Sequence, residues 1–254
     1  MPLFTDGPVS SIEDLNAQDS QLLDVASTEG IDLTRKLELA QEDVGVELTA
    51  LLSKLSYADQ PFWIAPKPDL SAVVVTPALK RWHTYVALEL VYCDAYNSQL
   101  NDRYAGKRDQ FHQMAQWARE KLIQTGVGLV SQPVSRAATP VVTPIPGSLA
   151  DGTYYVSMGW VNASGEEGAS AAPAAMSIAA STLQVQPGTA PNNAAGWNVY
   201  IGLDAESMNL QNESLIGVGD MWRQNGPLVT AGRAPGTGQE PIYLKPLPRV
   251  IQRG

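Results

Sequence analysis

The sequence predicts an α+β protein with its two kinds of structure in separate domains: an N-terminal helical bundle, then a small antiparallel β-sandwich. Up to about residue 131, long charged stretches repeat apolar residues every three to four positions and hold few glycines or prolines. Beyond it come Pro-rich spacers, small residues and short Tyr/Trp/Val runs that alternate with period two. The 254 residues suffice for two domains of ordinary size, and a 44% hydrophobic content supplies packed cores. The partition reads as helical bundle over 1–132, Pro-rich linker over 133–148, β-sandwich over 149–237 and extended C-terminal arm over 238–254.

The first helix begins near Ser10, where Ser10 and Glu13 have capping-box spacing and Ile12, Leu15, Leu22 and Leu23 supply the apolar side. A second, over 32–55, carries a stripe of Leu33, Leu37, Val44, Leu48, Leu51, Leu52 and Leu55, with Glu38, Glu42 and Glu47 outside it. The stretch YADQPFWIAPKPDL follows, and its Pro61, Pro66 and Pro68 cannot continue a helix. It exposes or docks Phe62 and Trp63, and its length fits a contact with a neighbour. A third helix spans 77–104. Leu79, Val86, Cys93 and Leu100 recur every seven residues, and Trp82, Tyr85, Leu88, Val91, Tyr92 and Tyr96 widen the face to that of a central helix. A fourth spans 107–124 on Phe111, Met114, Ala115, Ala118 and Leu122, with Gly126 placed to stop it. Four helices in this length make one bundle.

In the second half, residues 131–148 hold Pro133, Pro140, Pro144 and Pro146 and one charge, Arg136, which reads as an extended linker or an edge strand. Residues 153–161 read as a strand with a turn at 162–165; 176–180 and 183–186 are weaker strands, and 196–202 is another. Residues 214–218 and 219–223 complete the set, with Trp222 as a large core contributor. Short strands with turn signals make an antiparallel sandwich. Trp160, Trp197, Tyr200 and Trp222 are either its core or a sugar-stacking platform. The tail QEPIYLKPLPRVIQRG is basic, with Lys245, Arg249 and Arg253 and no acid after Glu240. It has no private core, so it is either loose or lies across another subunit as an arm, which would cover Ile242, Tyr243, Leu244, Leu247, Val250 and Ile251. Candidate partner-binding residues are therefore Phe62, Trp63, Tyr243, Leu244, Lys245, Leu247, Arg249 and Arg253.

Charge and chemistry narrow the function. The net charge is −9, and residues 1–59 hold 12 acids against Arg35, Lys36 and Lys54, so the whole excess lies in the first helical stretch. A basic nucleic-acid footprint is absent. The acidic face is a solvated surface, a match for a basic partner, or the lining of a passage through which DNA slides without sticking. The lone Cys93 rules out an internal disulfide and reads as a core residue, which fits a reducing cytoplasm or a particle assembled there. The start, MPLFTDGPVSSIEDLN, has no basic n-region or apolar h-region, and no apolar run approaches the roughly 18 residues of a membrane span. Neither a secretory signal nor a membrane anchor is expected. His83 and His112 lie on different helices, and Asp109 with His112 at i,i+3 reads as a helix-surface pair rather than an acid–base dyad. No HExxH, Cys/His cluster, GxSxG or GxxxxGK occurs, and Gly126-Val127-Gly128 and Gly217-Val218-Gly219 read as turns. The expectation is a structural or assembly protein, not an enzyme, with no cofactor and no metal.

Two resemblances extend this reading. The run TYYVSMGWVNASGEEGAS resembles the late strand and turn of a fibronectin type III repeat, and LQVQPGTAPNNAAGWNVYIG is similar to that family's early strand, Pro-rich bend and Tyr-bearing partner strand. In the family the second element precedes the first, so the resemblance implies a permuted fold or one that is only immunoglobulin-like, without catalysis. The pattern ALKRWHTYVALELVYCDAYNSQLNDRYAGKRDQFHQMAQWAREKLIQTGVGLVSQPV resembles the head–tail adaptor (connector) proteins of tailed bacteriophages, a likeness that covers 10–135. What matches is a central helix rich in Tyr and Ala, residues 101–108 at the helical junction, and a last helix with Trp117 before Gly126 and Pro133. The resemblance implies a virion protein of the neck, made in the bacterial host cytoplasm. It would be a homo-oligomeric ring, a dodecamer, joined to the portal protein and to a tail or nozzle protein. Genomic DNA would pass through its channel without specific binding, with no membrane involved. Residues 239–254 would reach the portal or the next protomer. The β domain exceeds a minimal adaptor. The alternative is another tail, neck or decoration protein whose β domain binds host-surface carbohydrate.

Overall fold

A computed structural model describes residues 1–55, 68–99 and 102–245. The chain forms two compact units: Gly7–Leu129 with the segment that begins at Pro241, and Met1–Asp6 with Val130–Glu240. The first is helical and the second is built of antiparallel sheets, so the protein is mixed α+β with its helices in the N-terminal region.

Helix α1 (Ile12–Gln18) starts one residue later than its sequence spacing predicts. Ser11 is the N-cap, and Asp14 returns the bond by accepting the Ser11 N–H at 2.8 Å. The stretch that reads as one helix through Leu23 is two, because the chain turns at Asp19, whose Oδ1 accepts the Gln21 N–H at 3.2 Å. Helix α2 (Leu22–Glu29) then ends at Gly30, in the left-handed region at φ 67°. Helix α3 (Leu33–Leu55) buries Leu33, Leu37, Val44, Leu48, Leu51 and Leu52, the stripe its periodicity gives. Helix α4 (Pro77–Gln99) packs against α1, α2, α3 and a last helix, α5 (Ala105–Thr125). Its buried line is Trp82, Tyr85, Leu88, Val91 and Tyr92, whereas Val86 and Cys93 of the heptad are only half-buried. A short 3-10 turn, Asp102–Tyr104, precedes α5. Gly126 stops α5 as expected, and Val127–Leu129 continue as strand β1 instead of the predicted turn.

The β unit begins with β2 (Val141–Pro146), an edge strand and so a place where Pro144 and Pro146 are tolerated. The strands β3 (Gly152–Asn162), β4 (Ala174–Ile178), β5 (Ser181–Gln186), β6 (Ala194–Gly202), β7 (Asn209–Leu210) and β8 (Trp222–Arg223) follow. They form a three-stranded sheet, β2-β5-β8, and a four-stranded sheet, β4-β3-β6-β7. One hydrophobic cluster draws Val142, Leu183 and Val185 from the first sheet and Val156, Met158, Trp160, Trp197, Val199 and Ile201 from the second. Residues 214–218 do not form the predicted strand. Ile216 makes a single bridge to Trp197, and the chain turns at once, the Asp220 N–H donating to the Gly217 carbonyl at 3.0 Å. The expected strand over 219–223 shrinks accordingly to β8, whose Trp222 is only partly buried against the cluster.

The terminal segments do not follow a linear reading of 1–132 and 238–254. Leu3 and Phe4 are buried in the β unit, where the Met1 ammonium donates to the Gln239 carbonyl at 3.1 Å and Asp6 accepts the Arg136 N–H at 2.7 Å. The chain re-enters the helical unit as β9 (Ile242–Leu244), paired with β1. Replacing Phe4 by Ala is expected to cost about 3 kcal/mol. Hydrogen exchange should read that loss in the amides of β3 and β6 and not in those of α4.

Candidate interaction surface

Three clusters of reactive side chains lie below the surface, and in each the groups are satisfied by one another. His83 of α4 is fully buried. Its Nε2–H donates to the Leu37 carbonyl at 3.1 Å, which leaves Nδ1 to accept the Ser10 hydroxyl at 3.0 Å. A serine beside an imidazole is the start of a nucleophile–base pair. Here both are sealed from solvent, and Ser10 also lies 2.9 Å from the Thr84 hydroxyl, so the cluster ties the N-terminal segment to α3 and α4. Burial lowers the imidazole to about 4, against weaker upward pulls from the Leu37 hydrogen bond and the Asp14 charge.

The second cluster centres on Asp19, whose Oδ2 accepts the Tyr92 hydroxyl at 2.7 Å and the Lys107 ammonium at 2.8 Å. Burial pushes this carboxyl up, but the bonds from Lys107, Tyr92 and Gln21 together hold it below the usual range. Burial and the neighbouring carboxylate raise the Tyr92 phenol. The Tyr92 ring stacks on Phe111 at 5.4 Å, so the cluster joins the α1–α2 turn to α4 and α5. In the β unit, Glu167 accepts the Tyr200 hydroxyl at 2.8 Å, the Asn198 amide at 3.0 Å and the Arg233 guanidinium at 2.6 Å. Burial, and then the Glu167 charge, raise the Tyr200 phenol. This cluster fastens the segment at Arg233 to the β3–β6 sheet.

The other chemistry-bearing residues are placed as follows. Asp109 and His112 do not pair: Asp109 takes the adjacent Arg108 at 2.8 Å, while His112 Nδ1 lies 2.7 Å from Glu89 on α4. Trp160, Trp197 and Tyr200 are buried, which removes them from any stacking platform. Among the described residues no group of three or more His, Cys, Asp or Glu side chains is arranged to hold a metal ion. Nor is any helix among them long and apolar enough to cross a membrane.

Leu23, Val46 and Trp117 are singly exposed on the helices of the helical unit, whereas β9 exposes three apolar residues in a row. It runs antiparallel to β1 with Val127 opposite Leu244, Gly128 opposite Tyr243 and Leu129 opposite Ile242. On the far side of β1, the Gly128 carbonyl accepts the Val74 N–H at 2.9 Å. The N–H and C=O of one strand residue point to the same side. Gly128 therefore serves Val74, whereas Val127 and Leu129 serve β9. It follows that Ile242 and Leu244 bond inward to β1, and Tyr243 turns both backbone groups to an edge that is open among the described residues. The side chains are exposed as well, at 74% for Ile242, 48% for Tyr243 and 38% for Leu244. Edge strands are commonly guarded by charge or by inward turns, and here no charge interrupts the run before Lys245. Thr76, Pro77, Ala78, Thr125 and Tyr243 line an open groove beside it.

Two glycines allow this approach. Gly126 sits at φ 104°, and a Cβ on Gly128 would lie 2.7 Å from the Thr76 methyl and 2.9 Å from the Pro241 Cβ. Of the residues singled out from sequence, Tyr243, Leu244 and Lys245 lie together at this edge. Phe62, Trp63, Leu247, Arg249 and Arg253 lie outside the described residues. Sequence reasoning counted Ile242, the most exposed of the three, among the tail residues that need cover but left it out of the partner-binding set, and it passed over Gly128, whose only signal is its place in a Gly-Val-Gly read as a turn. Compared with known proteins, the chain matches no protein family, no curated protein and no solved structure.

Gly128→Ala is expected to press on Thr76 and Pro241 at about 1–3 kcal/mol and to loosen β9. Faster chymotryptic cleavage at Tyr243 is the readout. His83 predicts a pH effect. The unfolded chain takes up its proton near 6.5 and the folded chain near 4. Stability is thus whole above about 6.5, falls as pH drops through that window, and levels off below about 4, roughly 3 kcal/mol lower for this group. Urea midpoints at pH 7 and pH 5 check it, since carboxylates titrate mostly below the window.

Proposed function

We propose that the chain is a structural virion protein, a head–tail adaptor whose copies form a ring that joins the portal to the tail and extends the DNA channel. The observation that carries this reading is β9, an open apolar edge that leads into a basic sequence carrying Leu247, Val250 and Ile251. Such an edge is a template for another chain. The acidic excess of the first helices supports it. Asp24 and Asp43 are exposed, as are Glu38 and Glu42 beside Arg35 and Glu47 beside Arg119, and the negative charge left over would let DNA pass without sticking.

The β unit is read as a separate, immunoglobulin-like sandwich. The order β4-β3-β6-β7 parallels C′-C-F-G of that fold, the β2–β5 pair parallels B–E, and Trp160 stands on the strand equivalent to C. On this reading β3 and β6 already stand in family order, and no permutation is needed. The β8 strand departs from the pattern, lying beside β5 but coming last of the set. A carbohydrate-binding decoration is disfavoured, because three of the four candidate rings are inside.

The test is the mass of the purified protein, alone and mixed with portal protein. A ring formed alone or on the portal is expected. A monomer that ignores the portal would overturn the reading.

A further inference from the structure

We infer that the open edge of β9 seats the β9 of a second copy of this chain, paired antiparallel about a two-fold axis through Tyr243. The inference rests on the reading of β9 as a contact edge and not on the virion role. Its ground is self-complementarity. The outward-facing residues are Pro241, Tyr243 and Lys245, which alternate with the inward-bonding Ile242 and Leu244. Centred on Tyr243, the two-fold register sets Tyr243 against itself, Ile242 against Leu244 and Pro241 against Lys245.

The pairing is complete at its centre and tapers at its ends. The two Tyr243 residues exchange N–H···O=C bonds in both directions. Pro241 has no N–H to give, so its pair keeps one bond, the Lys245 N–H to the Pro241 carbonyl, and the Lys245 carbonyl at this outer end stays with water. The two Ile242–Leu244 pairs cover one face and the two phenol rings meet on the other, contacts that favour a strand pair. No charge opposes a like charge.

Three residues a side bury far less than the about 1,000 Å² of a stable complex, so the pair is reversible and of micromolar or weaker affinity. A two-fold contact closes on itself and cannot build a ring. The pair is therefore a form of the free chain, and it must open before β9 meets any other subunit.

Sedimentation velocity on the full chain in a Cys93→Ser background tests this across a dilution series, with a reversible monomer–dimer equilibrium expected. Tyr243→Pro deletes an outward N–H and spares the bonds to β1, as edge positions permit. It is expected to weaken the dimer at least about tenfold with helix content unchanged. Register is read by oxidation. Tyr243→Cys faces its own copy and cross-links, whereas Ile242→Cys cross-links only when mixed with Leu244→Cys. A monomer at every concentration, or equal cross-linking of Ile242→Cys by itself, overturns the proposal. A ring on the portal without any free dimer would sink this pairing and keep the adaptor reading, and a free dimer that ignores the portal would do the reverse.

Discussion

The burial of α4 is the constraint on which the helical unit depends. With α1, α2, α3 and α5 packed against it, the face that carries Trp82, His83, Leu88 and Tyr92 cannot answer a polar group with water. Each polar side chain on its buried faces therefore requires a protein partner: His83 takes the Leu37 carbonyl, Thr84 the Lys80 carbonyl at 2.8 Å, and Tyr92 the Asp19 carboxylate. Two of those partners lie outside α4, Leu37 on α3 and Asp19 in the α1–α2 turn, so hydrogen bonds set the register in which the helices meet. Apolar stripes alone would tolerate a slide by one turn. A slide here would strand a buried donor or acceptor at about 1–3 kcal/mol each.

The same economy governs the β unit, where Glu167 would be untenable without Tyr200, Asn198 and Arg233. Both units are thus chemically quiet inside, with their reactive groups committed to holding elements together. Among the described residues, β9 is where an unpaired backbone edge and exposed apolar side chains coincide. That coincidence depends on Gly128, since any side chain there would push the strand away.

Helices α3 and α5 and strands β3 and β6 were legible in the sequence because a single period runs through each of them. The break between α1 and α2 was not, because no glycine or proline marks it. It arises where Asp19 turns inward to reach Tyr92 and Lys107, partners far along the chain. Residues 214–218 carry an apolar alternation, yet Gly217 and Asp220 close a turn before a ladder can form. At the candidate surface, exposed apolar character pointed to Tyr243 and Leu244. The pairing of β1 with β9 spans more than a hundred residues of sequence, and no local pattern encodes it.

The exchange of termini has a temporal meaning. The carbonyl that receives the Met1 ammonium arrives with Gln239, 238 residues later in the chain. The helical unit likewise lacks its outer strand until Leu244 has emerged. On a ribosome, then, both units wait for residues 239–244 to complete their contacts. A nascent chain that stops short of those residues leaves two incomplete folds instead of one good one.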